Sequence, residues 1–312
     1  MFEIERYTIA KMAEWNQFVA ASKNGTFLFD RRYMDYHSDR FEDFSLMFYR
    51  NGRLYALLPA NRKGDTLQSH AGLTYGGLVM DEHTTAAATV DLFCELNDYL
   101  RKEGFCHVLY KCIPWIYHQL PAEEDLYAIA RTCNARLQSR DLGTAIIQRN
   151  TLRWERVRRR ALKRAQQAGI TVSRCYDWSG FWHVLCDNLA AKYDSKPVHT
   201  LQEIELLASR FPDNIVLYVA TRDNTILAGM VLYISSQVAR AQYSSATPEG
   251  KQLGAIDIIY DHVINHDYSH LPYFEFGTSA LGSTNVINES LVFQKEGFGG
   301  RGMCFDRYEW SL

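Results

Sequence analysis

The sequence lacks any apolar run of the roughly 18 residues that a membrane-spanning helix needs. Residues 1–15 also lack a basic segment followed by an apolar core, which is the pattern of a secretory signal. A strong charge of either sign is missing too, because the formal net charge is only -2. We therefore expect a cytoplasmic protein without a membrane segment, in which any attraction for phosphate or nucleic acid comes from a local patch.

Paired cysteines and metal-ligand spacings are also missing. The seven cysteines are scattered, odd in number and never arranged as C-x-x-C. Neither a disulfide framework nor a zinc knuckle is therefore indicated. We interpret the cysteines as small, reduced core residues and predict no metal site.

The chain is long enough for two domains, since 312 residues is about twice the commonest domain size. Hydrophobic residues make up 47% of it, which is enough to build a substantial core. The patterning predicts the α/β (α+β) class, with mixed, mostly antiparallel sheets flanked by helices. We place the division between residues 1-150 and 151-312.

The two halves follow a similar plan, which indicates a tandem duplication. In each, two strand-like segments flank a turn-favouring pair, Asn51-Gly52 or Asp223-Asn224. A third strand is predicted to follow and to reach a tyrosine, through Leu73 to Tyr75 in the first half and from Val238 past Tyr243 in the second. A helix and another strand then complete each half.

A basic helix is predicted between the halves, within residues 149–168, and its part 151-168 opens the second module. Its arginines and lysines are accompanied by a single acidic residue, Glu155, while Trp154 and several alanines form a narrow apolar stripe. We expect the stripe to pack and the basic face, including Arg159, to bind a substrate phosphate or RNA.

The segment from Gln242 to Ile264 reads as a strand, a polar loop with glycines, and a helix. Glycines let backbone N–H groups approach a ligand, and a helix amino terminus attracts an anion. We predict a donor site here, with an acidic ligand at Asp257. The predicted cofactor-binding residues are Ser244, Ser245, Gly250, Lys251, Gly254 and Ala255.

The segment from Tyr273 to Gly300 reads as a buried strand, a loop and a short helix that carries Lys295. A lysine there can neutralise an anionic group or polarise a carbonyl. Glu275 lies inside the aromatic strand, where burial favours a proton acceptor. We predict Lys295, Tyr243 and Glu275 as catalytic, with Asp257 as another candidate proton acceptor, and expect Lys295→Ala to lower turnover while leaving the fold intact.

These motifs resemble the second module of the Fem-type peptidyltransferases, within the GNAT acyltransferase superfamily. The matching residues include the F-x-K-x-G-F-G run from Phe293 to Gly299, and the basic helix from Arg159 to Gly169 is similar to that of the family. The glycine-rich segment from Leu58 to Leu78 resembles its counterpart in GNAT-like proteins. The resemblance therefore covers most of the chain.

The resemblance implies tandem GNAT modules and an acyltransferase (N-acetyltransferase-like) that modifies an amine or a hydroxyl. It implies an acyl-CoA donor, such as acetyl-CoA, or the aminoacyl-tRNA and cell-wall precursor of the Fem enzymes proper. The acyl-CoA pattern Q/R-x-x-G-x-G/A is degenerate here, since Lys251 and Ile256 replace its first and last residues when Gly254 is aligned. A catalytically silent GNAT-fold binding protein is a third alternative.

The first module supplies a polar, glycine-flanked set suited to an acceptor, either a small molecule or a cell-wall precursor. These predicted substrate-binding residues are Asn61, His70 and Tyr75. The sequence leaves open the acyl group and the oligomeric state.

Overall fold

A computed structural model describes residues 1–193, 195–280 and 286–312. Across these ranges, no helix combines the length and the apolar character that crossing a membrane requires. Part of the loop predicted between Glu275 and Lys295, residues 281–285, lies outside the described residues.

The chain forms two compact units. Unit 1 consists of Met1–Asp141 together with Cys304–Leu312, and unit 2 consists of Leu142–Met303. The predicted modules, 1-150 and 151-312, are defined by a repeated order of strands and helices, whereas the two units are defined by compactness. The predicted division into modules therefore stays a prediction.

Strands and helices alternate along the chain. The strands are β1 (Glu3–Arg6), β2 (Glu42–Asp43), β3 (Leu46–Arg50), β4 (Arg53–Leu58), β5 (Asn61–Lys63), β6 (Thr66–Gln68), β7 (Val79–Met80), β8 (His107–Lys111), β9 (Arg136–Ile147), β10 (Thr171–Cys175), β11 (Ile215–Arg222), β12 (Thr225–Ile234), β13 (Val238–Ala246), β14 (Tyr273–Thr278) and β15 (Arg301–Ser311). The helices are α1 (Met12–Ala21), α2 (Arg31–Met34), α3 (Ala86–Lys102), α4 (Glu124–Thr132), α5 (Arg156–Gln167), α6 (Trp178–Tyr193), α7 (Leu201–Arg210), α8 (Pro248–Leu253), α9 (Ala255–His262) and α10 (Glu289–Gly297).

Unit 1 contains a four-stranded sheet in the order β1-β3-β4-β7. The predicted hairpin is confirmed, because Asn51 and Gly52 take positive φ angles of 53° and 73° between the antiparallel strands β3 and β4. Helix α3 packs Leu92, Phe93 and Leu96 into the core of this unit, as its helical spacing requires.

Unit 2 contains the sheet order β10-β11-β12-β13-β14-β9, in which every neighbouring pair is antiparallel except β13 and β14. The second hairpin is confirmed too, with Asp223 and Asn224 at φ angles of 50° and 61°. Helices α8 and α9 connect the parallel pair, and α9 buries Ile259 and Tyr260 against the sheet. This crossover makes β13 and β14 run side by side, which positions the candidate site.

The predicted third strand of the first half, through Leu73 and Tyr75, is wrong. These residues lie in turns and loop between β6 and β7. The carbonyl groups of this segment bind a side chain instead of a neighbouring strand, since Lys111 Nζ donates to His70 O, Ala71 O and Leu73 O at 3.1, 3.2 and 2.6 Å.

The basic helix is shorter than predicted. It begins at Arg156, because Glu155 has extended backbone angles and Gln148–Asn150 form a separate 3-10 turn. Its apolar stripe does pack, with Ala161 and Ala165 buried.

Candidate functional site

The parallel strands β13 and β14 separate soon after they begin. Their pairing runs only from Val238 opposite Tyr273 to Arg240 opposite Glu275. Strand β13 then continues to Ala246, and within the described ranges no strand pairs with this edge beyond Arg240. Backbone N–H and C=O groups on such an edge can bind a ligand, and we call the separation between the two strands the cleft.

A β-bulge in β13 lies in this cleft. Val231 pairs with Tyr243 and Leu232 with Ala241, so Gln242 is the extra residue. A bulge bends the strand and re-aims the side chains beside it. Here the side chain of Gln242 adjoins Tyr243 and opposes the rise in the pKa of its phenol.

Tyr243 is half-buried between two aromatic neighbours. Its Oη lies 2.6 Å from Nδ1 of His199, and the ring of Trp182 meets it edge-on at 5.4 Å. Burial is the largest cause that raises the pKa of Tyr243 to about 12, while hydrogen bonds from its neighbours oppose the shift. Tyr243 is therefore a neutral phenol at neutral pH, in a position to exchange its proton.

Glu275 is completely buried and paired. Arg240 Nη1 donates to its Oε2 at 2.5 Å, and the backbone N–H of Gly277 donates to its Oε1 at 2.8 Å. Arg240 Nε also donates to Gln242 Oε1 at 3.1 Å. The carboxylate predicted as a proton acceptor thus anchors an arginine, and through it the bulge that carries Tyr243.

Lys295 lies on α10, whose first turn is capped by the side chain of Asn288. The lysine is 8% exposed, and Nζ donates to Gly277 O, Thr278 O and Ser279 Oγ at 2.8, 2.7 and 2.8 Å. Burial is the main cause that lowers its pKa to about 8. Lys295 therefore holds the end of β14 and the residue that follows it, on the other wall of the cleft.

These contacts form one polar chain within unit 2. It runs from Gln242 through Arg240 and Glu275 to Gly277, whose carbonyl binds Lys295, and the pair of Tyr243 and His199 adjoins it next to Gln242. The structure thus brings together all three predicted catalytic residues. The polar chain fixes the bulge relative to the end of β14, so the donors around the cleft are preorganised.

The predicted donor loop is tightly packed at its glycines. A Cβ on Gly250 would lie 2.1 Å from the carbonyl oxygen of Leu227, and one on Gly254 would lie 2.4 Å from that of Ala161 in α5. Gly254 also takes a left-handed φ of 81°, which joins α8 to α9. Helix α5 therefore lies directly against the turn where a phosphate was predicted to bind.

The remaining residues of this loop have separate surroundings. Ser244 is exposed and hydrogen-bonds Tyr260, whereas Ser245 is buried and donates to Val184 O at 3.3 Å. Ala255 is buried at the start of α9. Lys251 Nζ contacts Asn188 Oδ1.

An ion pair occupies the first turn of α9. Asp257 is 3% exposed, and Arg158 Nη1 of α5 donates to its Oδ1 at 3.1 Å. Burial raises the pKa of Asp257, and Arg158 opposes that rise. Arg159 is exposed on α5 and donates Nε to Trp154 O at 3.0 Å.

In unit 1, Asn61 at the start of β5 contacts the loop that carries His70. Asn61 Oδ1 accepts from the N–H of Ala71 at 2.8 Å, and His70 has a strained φ of 47°. His70 is buried, and this burial is the main cause that lowers its pKa to about 3. Its Nδ1 has no hydrogen-bond partner among the described residues. Tyr75 instead packs into the core, with Oη 2.9 Å from Thr26 Oγ1.

Sequence reasoning missed Arg240, Gln242, His199 and Lys111. Arg240 carried a signal, because a charged residue between apolar neighbours in a strand needs a partner. His199 precedes Thr200 and Glu203, a recognisable capping box, but nothing local links it to Tyr243. Across the described residues, no group of three or more metal-binding side chains is present.

Comparison with known proteins identifies both a domain family and a fold. Residues 150–283 match the family model described as an acetyltransferase (GNAT) domain. No curated protein matches the chain in sequence.

Three solved structures resemble the whole chain. The crystal structure of FemX has a TM-score of 0.70 at 10% identity, covering 99% of this chain and 97% of that one. L-PGS from Bacillus licheniformis has a TM-score of 0.59 at 12% identity, covering 98% and 92%. A tandem GNAT protein from the clavulanic acid biosynthesis pathway has a TM-score of 0.53 at 10% identity, covering 100% and 98%.

These matches confirm the predicted Fem-like, tandem GNAT fold of the α+β class. The family match confirms the predicted acyltransferase class for the second half of the chain. The chain therefore has the fold of the tandem GNAT proteins, and its residues 150–283 match the GNAT acetyltransferase domain family.

Proposed function

We propose that this chain transfers an aminoacyl group from an aminoacyl-tRNA to an amine or hydroxyl acceptor in the cleft between β13 and β14. The observation that carries this choice is the packing of α5 against the Gly254 turn. The chemistry, the donor and the acceptor are argued in turn.

Acyl transfer needs a positioned nucleophile, a route for its proton and donors for the developing oxyanion. Backbone N–H groups of β13 beyond Gln242 supply the oxyanion donors, since that edge has no paired strand in the described ranges. Tyr243 is the candidate proton acceptor. Glu275 and Lys295 keep the two walls of the cleft in place through Arg240 and the Gly277 turn.

The surroundings of α9 disfavour coenzyme A. The amino terminus of α9 would have to hold the pyrophosphate of coenzyme A, but the carbonyl oxygen of Ala161 faces Gly254 at this point. The buried carboxylate of Asp257 already occupies the first turn, paired with Arg158. A phosphate would meet negative oxygen atoms from both sides, so the resemblance to the Fem enzymes favours their aminoacyl-tRNA donor.

The outer face of α5 suits a nucleic-acid donor. Its exposed cations provide contacts for successive phosphates, with Arg159 among them as predicted. The exposed cations of this α5 face are Arg156, Arg159, Arg160, Lys163 and Arg164.

The loop around His70 is the candidate acceptor-recognition element. Asn61 and Lys111 hold its backbone, and its strained, buried histidine is typical of a functional segment. Tyr75 supports the loop from the core rather than from a binding surface. A cell-wall precursor is the acceptor that the Fem resemblance implies.

Binding of labelled aminoacyl-tRNA and of acetyl-CoA to the purified chain tests the donor. We expect salt-sensitive tRNA binding, and transfer of a radiolabelled aminoacyl group to an amine-bearing wall precursor. The triple variant Arg156→Glu/Arg160→Glu/Lys163→Glu should weaken tRNA binding and make its dependence on log salt shallower by about two to three phosphate contacts.

A triple variant with the same charge change elsewhere is the matched control. Lys63→Glu, Lys102→Glu and Arg131→Glu are exposed positions of unit 1 and should leave tRNA binding close to wild type. Thermal stabilisation by acetyl-CoA with acetyl transfer, and no specific tRNA binding, would overturn the proposal in favour of an acyl-CoA enzyme.

A further inference from the structure

The contact between His199 and Tyr243 is built from rigid parts of unit 2. His199 is 5% exposed and comes directly before α7. The first turn of α7 is fixed by a capping box, in which Thr200 and Glu203 exchange side-chain and backbone hydrogen bonds. The imidazole is therefore held against the bulge of β13 by the capped amino terminus of α7.

The hydrogen bonds around Tyr243 Oη define where its proton points. The backbone N–H of His199 donates to the phenol oxygen at 3.4 Å, and both this contact and the neighbouring Gln242 side chain oppose the rise in the pKa of Tyr243. Groups that favour the ionised phenol in this way act as donors to its oxygen. The phenol proton is left to bind His199 Nδ1, 2.6 Å away, so Nδ1 is an acceptor and the neutral ring carries its proton on Nε2.

We propose that His199 is a positioning residue for acyl transfer, which holds Tyr243 and accepts its proton during the reaction. The proposal rests on the proposed function, since it concerns the proton route in the same cleft. Neither the family match nor the resemblances assign a role to this histidine.

The proton transfer balances without another reactant. As the acceptor nitrogen bonds to the acyl carbon, its N–H proton moves to Tyr243 Oη while the phenol proton moves to His199 Nδ1. When the intermediate collapses, the imidazolium returns its proton to the tyrosine, which protonates the leaving oxygen. The acceptor amine thus loses one proton and the leaving hydroxyl gains it. The incoming N–H replaces the 3.4 Å contact with the backbone of His199.

Several charged or polar groups face this pair from the surrounding elements. Glu203 of α7 takes part in the capping box, and Arg240 of β13 is engaged by Glu275 and Gln242. On α6, Trp182 covers the phenol ring. Proton exchange between Tyr243 and His199 is thus a short path, since Nδ1 lies 2.6 Å from Oη.

The first test needs no substrate. Long-range ¹H–¹⁵N correlation spectra of the full chain report the tautomer of each histidine, and His199→Asn identifies the signal that disappears. We expect His199 as the Nε2–H tautomer at pH 7.5, with a Nδ1 shift that changes in Tyr243→Phe. A Nδ1–H tautomer, or a signal insensitive to Tyr243→Phe, would overturn the proposal.

The second test uses the transfer assay with aminoacyl-tRNA. His199→Asn retains an oxygen that can accept from Tyr243 but cannot take up a proton, so kcat should fall about 100-fold with little change in KM. The acidic side of the pH profile should also differ between His199→Asn and the wild type, because the variant has no imidazole. His183→Asn on α6 is the matched control, because that exposed histidine contacts the backbone oxygen of Ser179.

The two levels of failure are distinguishable. Wild-type kcat and pH profile in His199→Asn would refute the role of His199. If the wild type transfers nothing from aminoacyl-tRNA, the proposed function fails, and the histidine spectra alone decide whether Nδ1 accepts the proton of Tyr243.

Discussion

Lys295 is a buried cation whose protons all bind oxygen atoms at the end of β14. Two of these atoms are backbone carbonyls, of Gly277 and Thr278, and the third is the hydroxyl of Ser279. Hydrogen bonds from a charged donor are stronger than those between neutral groups, and a buried acceptor left without a donor costs free energy. The lysine is therefore expected to stabilise the fold in addition to any role in transfer.

Replacing Lys295 by methionine removes the ammonium group while keeping most of the apolar stem. We expect the free energy of unfolding to fall by about 1–3 kcal/mol, because buried acceptors lose their donor. This changes the sequence-based expectation that Lys295→Ala leaves the fold intact. Urea denaturation measures the effect, and Lys251→Met, at an exposed lysine bound to Asn188, is the control and should change stability by less than about 0.5 kcal/mol.

The pH dependence of the free energy of unfolding, compared between the wild type and Lys295→Met, gives a second readout. Burial lowers the pKa of Lys295 to about 8, against about 10.4 in an unfolded chain. Between these values the unfolded state binds more protons, so the contribution of Lys295 to stability rises with pH. The stability of the wild type relative to Lys295→Met should therefore increase from pH 7.5 to pH 10, and a difference independent of pH would contradict the lowered pKa.

Part of the site could be predicted from residue types alone. Lys295, Tyr243 and Glu275 were identified because ionisable groups stand in buried or glycine-flanked segments, and the structure brings them together. Their partners could not be predicted, since Arg240 lies 35 positions from Glu275 and His199 lies 44 from Tyr243. Such pairs depend on strand order and bulge position, which a local pattern does not contain.

At the scale of elements, the junction of α8 and α9 depends on Gly254. Its φ of 81° is unfavourable for residues with a side chain, and the backbone of α5 approaches it closely. Helix α5 thus contacts the turn with its backbone while its exposed face remains charged. One glycine therefore links the start of α9 to the position of the basic helix.

Gly254→Ala should be strongly destabilising. The left-handed backbone alone costs about 1–3 kcal/mol, and the added Cβ would also lie 2.4 Å from Ala161 O, an atom of backbone that cannot rotate away. Gly169→Ala is the matched control, since Gly169 has a φ of 69° but no neighbouring atom within 4 Å. Urea denaturation should show the larger loss for Gly254→Ala; equal losses would mean that α5 does not approach the turn this closely.

Elements defined by local chemistry were predictable, and those defined by distant contacts were not. Both hairpins follow from their turn pairs, and α7 carried a signal in its capping box that the sequence analysis did not use. The strand predicted through Leu73 fails because Lys111 binds the backbone of that segment. The side chain of Lys111 thus binds carbonyl groups that the predicted strand would have paired with a neighbouring strand.

At the scale of the whole molecule, the chain returns to unit 1 after completing unit 2. Unit 1 ends at Asp141 and resumes at Cys304, so its core needs residues from both ends of the sequence. Trp310 is the main apolar anchor of the returning segment. It is 5% exposed and packs within the same cluster as Phe93 and Tyr110.

Trp310→Ala should therefore destabilise unit 1 through a contact made at the far end of the chain. Removing a buried tryptophan costs about 3–5 kcal/mol, and here the indole N–H also donates to Asn97 Oδ1 at 3.1 Å. Amide hydrogen exchange localises the loss, and we expect faster exchange in α3, which carries Phe93 and Asn97. Trp115→Ala, at a tryptophan that is 48% exposed, controls for the loss of an indole and should have a much smaller effect. Unchanged protection of α3 in Trp310→Ala would show that the carboxy-terminal strand does not support the core of unit 1.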